Sequence, residues 1–424
     1  MKRWIAGILL VFTFIISQPG KAEMITVVQA VNSAFSLHPA VKVARANYKQ
    51  ALGQRLIDLS PEPASLALEY EGVPGGEAID AHEERRLSLS QEIAFPLKYS
   101  WRARVAGIAV DEARIDALIQ LLELELEVRN SYTQAWMIDR ELKILEENAD
   151  AAENYAHQLK RLVELGETAP LEERRARVEA LQATTNRDAV REERFAVLGK
   201  FRSLTGIDTT GIVLSPPIVF SQSDLFRSES KFNVDKSYEL KSAQLQSTQA
   251  DIETRAAVFN WLPDLELSYF QQNVPSETDP DFWGVELGIS LPAWFWLSGR
   301  GEILAAKANQ RAAQGNLENL NLQQQTATVE LIQSQRALWD KLKLYEEQIL
   351  PLAKESYELA MKSYKTGEAS YLEVIDSQRT LLDIQLEHLE IKAALADVTS
   401  EIDRLAGRSV IGHDELQNML NRGH

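Results

Sequence analysis

Six histidines, His38, His82, His157, His388, His413 and His424, are scattered through 424 residues, with no pair at i and i+4 and no carboxylate-flanked cluster. A fixed metal site needs that kind of spacing, so no metal ligands are expected. The chain has no cysteine, which removes disulfides, thiolate ligands, a cysteine nucleophile and a lipidated N-terminal cysteine. No Gly-rich phosphate loop or nucleophile elbow occurs, so neither catalytic residues nor cofactors are expected. The groups that could still do chemistry are carboxylates. Glu69, Glu71, Glu92, Glu266 and Glu286 recur in short segments where every second residue is apolar. Carboxylates along a wet wall attract cations without needing to bind them at a site.

These acids are positioned by strands. In the stretch Phe282 to Leu291, side-chain alternation puts Trp283, Val285, Leu287, Ile289 and Leu291 on one face and Gly284, Glu286, Gly288 and Ser290 on the other. Leu66, Leu68 and Tyr70 alternate with Ser65, Ala67, Glu69 and Glu71. Leu87, Leu89, Ile93 and Phe95 alternate with Ser88, Ser90, Glu92 and Ala94, and Leu265, Leu267 and Tyr269 with Glu266, Ser268 and Phe270. Four strands in two hairpin-like pairs result. Each is about as long as a bilayer-crossing strand, roughly 9 to 11 residues. A soluble antiparallel sheet with one face on a core has the same pattern.

Lys2 and Arg3 precede the apolar run Trp4 to Ile16, and Pro19, Gly20, Lys21 and Ala22 follow, as in a secretory signal cut after Ala22. No later segment reaches the roughly 18 apolar residues of a membrane-spanning helix, so the exported chain is expected to be soluble or a β-barrel. The net charge is −17, and −20 once Lys2, Arg3 and Lys21 leave with the signal. Such a surface repels phosphate backbones, so nucleic acid is not an expected partner.

The rest reads as mainly α with a small β part. Met24 to Asp58 is helical in pattern, and Ser60 to Pro63 ends it. The polar loop Gly72 to Arg85 suits the outer side of a barrel better than a tight hairpin. From about Trp101 to Leu165 apolar residues recur at three- and four-residue spacing, which makes a helix of roughly 95 Å. Gly166 to Pro170 turns the chain, and a return helix runs from Leu171 to about Leu204. A second helix, strand pair, long helix from about Arg300, turn at Gly367 and return helix to Leu405 follow. Gly166 and Gly367 are 201 residues apart, as are Gly206 and Gly407, and Pro96 and Pro292 are 196 apart. The domain reading is a signal peptide at 1–22 and a first repeat at 23–206, with strands at about 64–72 and 85–95 and a helical hairpin turning at 166–170. An irregular linker occupies 207–236. The second repeat spans 237–407, with strands at about 264–272 and 282–291 and a turn at 366–370, and 408–424 is a C-terminal tail. Pro351 is expected to kink or break the second long helix. Trp294, Phe295 and Trp296, beside Trp283, suit a membrane-interface rim or a core cluster.

Lipid offers no partner to a bare strand edge, and four strands cannot close on themselves, since the smallest membrane barrels use eight. Two chains would give eight strands around packed side chains, and three would give twelve around an open lumen. The small or acidic inward set favours the open form, a shared trimeric 12-stranded transmembrane β-barrel continued by long antiparallel α-helical hairpins as a coiled-coil-like tunnel.

The C-terminal hairpin, ILPLAKESYELAMKSYKTGEASYLEVIDSQRTLLDIQLEHLEIKAALADVTSEIDRLAG, resembles that of the TolC-like outer-membrane efflux proteins, the outer-membrane factors of tripartite efflux systems. Tyr364-Lys365-Thr366-Gly367 looks like the family's hairpin tip, and LSLSQEIAFPLKYSWRARVA like its strand-to-helix passage, somewhat more like the cation-efflux branch. The resemblance covers nearly the whole mature chain. It implies a homotrimer in the Gram-negative outer membrane with its helical tunnel in the periplasm, docked on a periplasmic adaptor (membrane fusion protein) and an inner-membrane pump that supplies the energy. On that resemblance Glu373 and Asp376 match the acidic ring of the periplasmic entrance, their first-repeat counterparts being Glu172 and Arg175. Gly166, Glu167, Thr168, Tyr364, Gly367 and Glu368 would form the adaptor-contact tips. The lipid-facing set would be Leu87, Leu89, Trp283, Val285, Leu287 and Ile289. The function expected is a passive exit duct gated at its helical tip. The alternatives are the outer-membrane channel of type I protein secretion, or a soluble periplasmic coiled-coil scaffold.

Overall fold

The computed structural model describes residues 24–217, 237–260, 262–273, 281–290 and 295–421, with side chains from 298 onward in the last stretch. The expected signal peptide, the Pro292 landmark, Leu291, most of the linker and the aromatic side chains at 294–296 lie outside the described residues.

In chain order the elements are β1 (Met24–Ile25), α1 (Val27–Leu37), α2 (Pro39–Asp58), β2 (Ser65–Glu71), β3 (Glu84–Ile93), α3 (Pro96–Glu164) and α4 (Pro170–Thr205). They continue with β4 (Val213–Leu214), α5 (Tyr238–Phe259), β5 (Asp264–Asn273), β6 (Asp281–Ser290) and α6 (Phe295–Leu344). A π-helical turn (Tyr345–Ile349), α7 (Leu350–Thr366), α8 (Tyr371–Leu405) and α9 (His413–Asn421) complete the chain. Each repeat is thus helix, strand pair and helical hairpin. No described helix is long and apolar enough to cross a membrane.

The strands form one antiparallel sheet in the order β2-β3-β5-β6. Its register pairs Leu66 with Leu89, Leu89 with Tyr269 and Tyr269 with Val285, and next to them Leu267 with Leu287. Directly paired residues share a face, so the expected apolar set does lie on one side of the sheet. That side is bare in the protomer: Leu66, Trp283 and Leu287 are 71%, 69% and 69% exposed. β2 and β6 are the two free edges of this sheet.

Pro96, at the first helical position, opens α3, which then runs 69 residues, on the order of 100 Å. The main core lies where α1, α2, α4, α5 and α9 gather around the upper half of α3, with Phe35, Leu118, Leu121, Tyr132 and Phe201 at its centre. The parallel pair β1–β4 closes over it. The hydroxyl of Tyr132 lies 2.8 Å from the carbonyls of both Ile25 and Ser215, tying the two short strands to α3.

Two expectations need correction, and two gain detail. Met24 to Asp58 is not one helix: His38, ahead of Pro39, is extended, because a residue before proline is driven out of the helical region, and Met24–Ile25 is a strand. The segment after Gly206 is not wholly irregular, since it carries β4. The tail contains α9, which buries Leu416 and Leu420. At Pro351 the α-helical ladder is interrupted, as expected, though the helix is not ended. A π turn immediately before it re-registers the ladder, with the Leu350 N–H donating to the Tyr345 carbonyl, so the helix continues past a residue that has no N–H to give.

Candidate functional site

Two places collect the residues singled out by sequence: the hairpin ends and the polar face of the sheet.

At the hairpin ends the chain turns twice by the same device. Gly166 and Gly367 are left-handed, with φ of 72° and 79°, which glycine adopts without strain. In the first turn Gly166 donates to Val163 O at 3.0 Å and Glu167 to Leu162 O at 2.9 Å. In the second Gly367 donates to Tyr364 O at 3.1 Å and Glu368 to Ser363 O at 2.9 Å. These are matching Schellman-type ends, 201 residues apart. Gly166, Glu167, Gly367 and Glu368 are exposed. Thr168 is half-buried and its hydroxyl donates to Glu172 at 2.6 Å.

Tyr364 does not point outward. It packs at 5.9 Å on Tyr371, which lies 6.2 Å from Tyr155, and with Tyr357, Leu159 and Val374 they form a small core joining both hairpins. Burial pushes the Tyr155 hydroxyl up to about 12 and raises Tyr357, Tyr364 and Tyr371 as well, so the cluster stays neutral over the physiological range. The Tyr155 hydroxyl meets the Met361 sulfur. Two more links cross between hairpins: Arg379 Nε donates to Glu179 at 3.1 Å, and Gln378 to Asn148 at 2.8 Å. Composition and periodicity gave no signal for these partners, each pair separated by 200 or more residues.

Glu373 and Asp376 are both exposed on the first turns of α8. With Ile349, Leu352, Ser356 and Thr380 they line a groove of about 540 Å³ between α7 and α8. On the other side of α8 a second groove, about 440 Å³, carries Arg174, Arg175 and Arg379 beside Val178 and Leu372. Acid and base thus flank one helix end. Glu172 and Arg175 sit in the first hairpin as the repeat requires.

The polar face of the sheet holds Glu69, Glu92, Glu266 and Glu286 among serines and glycines. Arg86, which the alternating pattern does not single out, interrupts this small or acidic set. Its guanidinium lies on the same face, 3.3 Å from Glu286 and 3.9 Å above the Phe270 ring. No group of three or more His, Asp or Glu that could hold a metal occurs among the described residues. Carboxylates along such a face can attract cations.

Residues 235–408 match the family model "Outer membrane efflux protein". Over 297 residues, 68% of each chain, the sequence is 24% identical to the cobalt-zinc-cadmium resistance protein CzcC of Cupriavidus metallidurans. The fold is similar to that of the Campylobacter jejuni CmeC outer membrane channel, with a TM-score of 0.72 at 17% identity over 90% of this chain and 85% of that one. It is similar also to the Vibrio cholerae outer membrane protein VceC, with a TM-score of 0.75 at 15% identity over 90% and 96%.

Proposed function

We propose that this chain, which through residues 235–408 belongs to the outer membrane efflux protein family, is the exit duct of a tripartite efflux system and works as a homotrimer. Three copies of the four-stranded sheet close a twelve-stranded barrel in the outer membrane, and their helical hairpins continue it as a periplasmic tunnel that meets an adaptor and an inner-membrane pump. The observation that carries the reading is the sheet itself. Its apolar face is bare and its edge strands β2 and β6 lack outer partners, a state that water disfavours on one count and lipid on the other.

Divalent metal ions are the proposed cargo. The curated relative is a cobalt-zinc-cadmium resistance protein, and the wet face of the sheet is rich in carboxylates. Glu373 and Asp376, in three copies, would ring the entrance with six carboxylates, where like charges resist tight closure unless cations screen them. The exposed turns at Gly166 and Gly367 are the surfaces offered to the adaptor, and Tyr364 supports them from within.

Leu287→Lys tests the membrane assignment, because a lysine near the lipid midplane costs about 2 to 4 kcal/mol per chain. Loss of detergent-extracted trimer is expected; a normal trimer yield, or a wild-type chain that is a monodisperse monomer in plain buffer, overturns the reading. Glu373→Gln with Asp376→Asn tests the entrance. Block of single-channel current by multivalent cations should weaken, and unchanged block removes these two residues from the gate.

A further inference from the structure

The acidic face of the sheet contains one oddity. Among the described strand residues on that face the acids are Glu69, Glu71, Glu84, Glu92, Asp264, Glu266 and Glu286, and the basic residue is Arg86. It is held firmly. Phe270 pairs across the strands with Gly284, and a Cβ at Gly284 would collide with the far end of the Phe270 ring, so the glycine leaves the ring its place. Arg86 stacks on the outer side of that ring at 3.9 Å and reaches Glu286 at 3.3 Å. A guanidinium held by a ring face and a carboxylate has lost much of the freedom that an exposed arginine keeps. Glu69 is its direct partner across β2 and β3, and Glu71 and Glu84 pair two residues nearer the loops, so Arg86 stands among acids at this end of the sheet. Glu92 and Glu266 are direct partners near the helical end, whereas Arg86 lies six residues further toward the hairpin loops, roughly 20 Å away.

We propose that Arg86, seated on Phe270, is a selectivity-determining residue of the barrel. This rests on the reading that the polar face lines the lumen. Three copies put three fixed positive charges at one level near the loop end, within a wall that Glu69, Glu71, Glu84 and Glu286 otherwise make acidic. The acids gather cations; the arginine set among them limits how strongly the exit retains them. A fixed charge in a water-filled passage changes the local concentration of counter-ions, and three at one level act together. Glu286, paired to Arg86, tempers that level.

The experiment is the reversal potential of the purified trimer in a planar bilayer under a salt gradient. Arg86→Gln should raise the cation-over-anion permeability ratio roughly twofold or more. Arg86→Lys should stay near wild type, and Glu286→Gln should shift the ratio the opposite way. A role confined to bracing the sheet predicts no such opposed shifts, so unchanged ratios in Arg86→Gln and Glu286→Gln overturn the proposal, as do shifts of the same sign. Should Arg86→Gln not assemble, the shift in Glu286→Gln decides alone.

The underlying reading is checked separately. Because the chain has no cysteine, Ser88→Cys and Leu287→Cys each carry a single thiol. A hydrophilic thiol reagent applied to the membrane-embedded trimer should label Ser88→Cys and spare Leu287→Cys. The reverse labelling sinks the lumen assignment itself. The expected labelling with unmoved reversal potentials sinks only the role of Arg86.

Discussion

The collar around the upper half of α3 and the ends of the hairpins are made from the same long helices, yet they are held together by different means. At the collar, charge is buried. Glu125 and Arg129 are 2% and 3% exposed, and Arg129 bonds Asp403 at 3.1 Å, while Asp403 also accepts from Arg408 at 3.0 Å. Glu125 accepts from the Val410 N–H at 2.9 Å and from the Ser409 hydroxyl, which fastens the segment after α8 to α3. At the ends, by contrast, Arg379 is 54% exposed in its pair with Glu179, and α7 buries a single residue, Ala353. A buried charge network is costly to break at any one point, whereas exposed ion pairs contribute about 0.2–1 kcal/mol each. The middle is therefore fixed by buried charge, whereas the tips are joined by a small tyrosine-rich core and by exposed pairs. That is the distribution a duct needs if its entrance is to change shape while its wall stays intact.

Removing Arg129 is the strongest test of this contrast. Arg129→Ala takes the cation from buried Glu125, which keeps only Ser409 and Val410, and leaves Asp403 with Arg408 alone; breaking a buried pair in this way typically costs about 3–5 kcal/mol. A large drop in the thermal midpoint followed by far-UV circular dichroism is expected, with early proteolytic release of the segment after α8. A drop no larger than that of an exposed pair would show that the collar is not held by charge at all.

A smaller effect comes from pH. Burial pushes the Asp397 carboxyl, on α8 near Thr133 and Arg129, up to about 6, and raises Glu125 as well. A carboxyl raised in the folded chain binds its proton more tightly there than in the unfolded one. Its contribution is complete below the ordinary carboxylate range and is lost as pH rises through about 6. Compared with Asp397→Asn, which stays neutral, the native chain should gain relative thermal stability on acidification from above pH 6 to about 4, on the order of 1–3 °C. A difference between the two that stays flat across this window would place Asp397 in a solvated setting.

Much of this plan was legible beforehand. The strands could be read because one face is wet and the other greasy, a pattern that survives without any neighbour, and the register then brought Leu89, Tyr269 and Val285 into line. The hairpin turns could be read because Gly166 and Gly367 need a left-handed backbone. The collar's charges were hidden, because Glu125 and Arg129, four apart on a helix, have the spacing of a solvated surface pair and only tertiary packing buries them. β1 and β4, two residues each, are too short to show any period. Arg86 was passed over for a similar reason: a single basic residue in an alternating strand is unremarkable until Phe270 and Glu286 arrive from nearly 200 residues away.

The weakest latch gives the finest test. Arg379→Ala removes the pair with Glu179, and because Arg379 is mostly in water the thermal midpoint should barely move, in line with about 0.2–1 kcal/mol. On the proposed reading its effect should appear instead at the hairpin tips, where Gln378–Asn148 and the tyrosine cluster would be left to hold the second hairpin against the first. Single-channel recordings of the variant should show longer or larger openings than the native protein, with stability almost unchanged. Arg129→Ala should do the opposite, lowering stability sharply with no gain in conductance per surviving channel. If Arg379→Ala loses stability and gains no conductance, the tips are part of the same rigid body as the collar, and the division of labour between them fails.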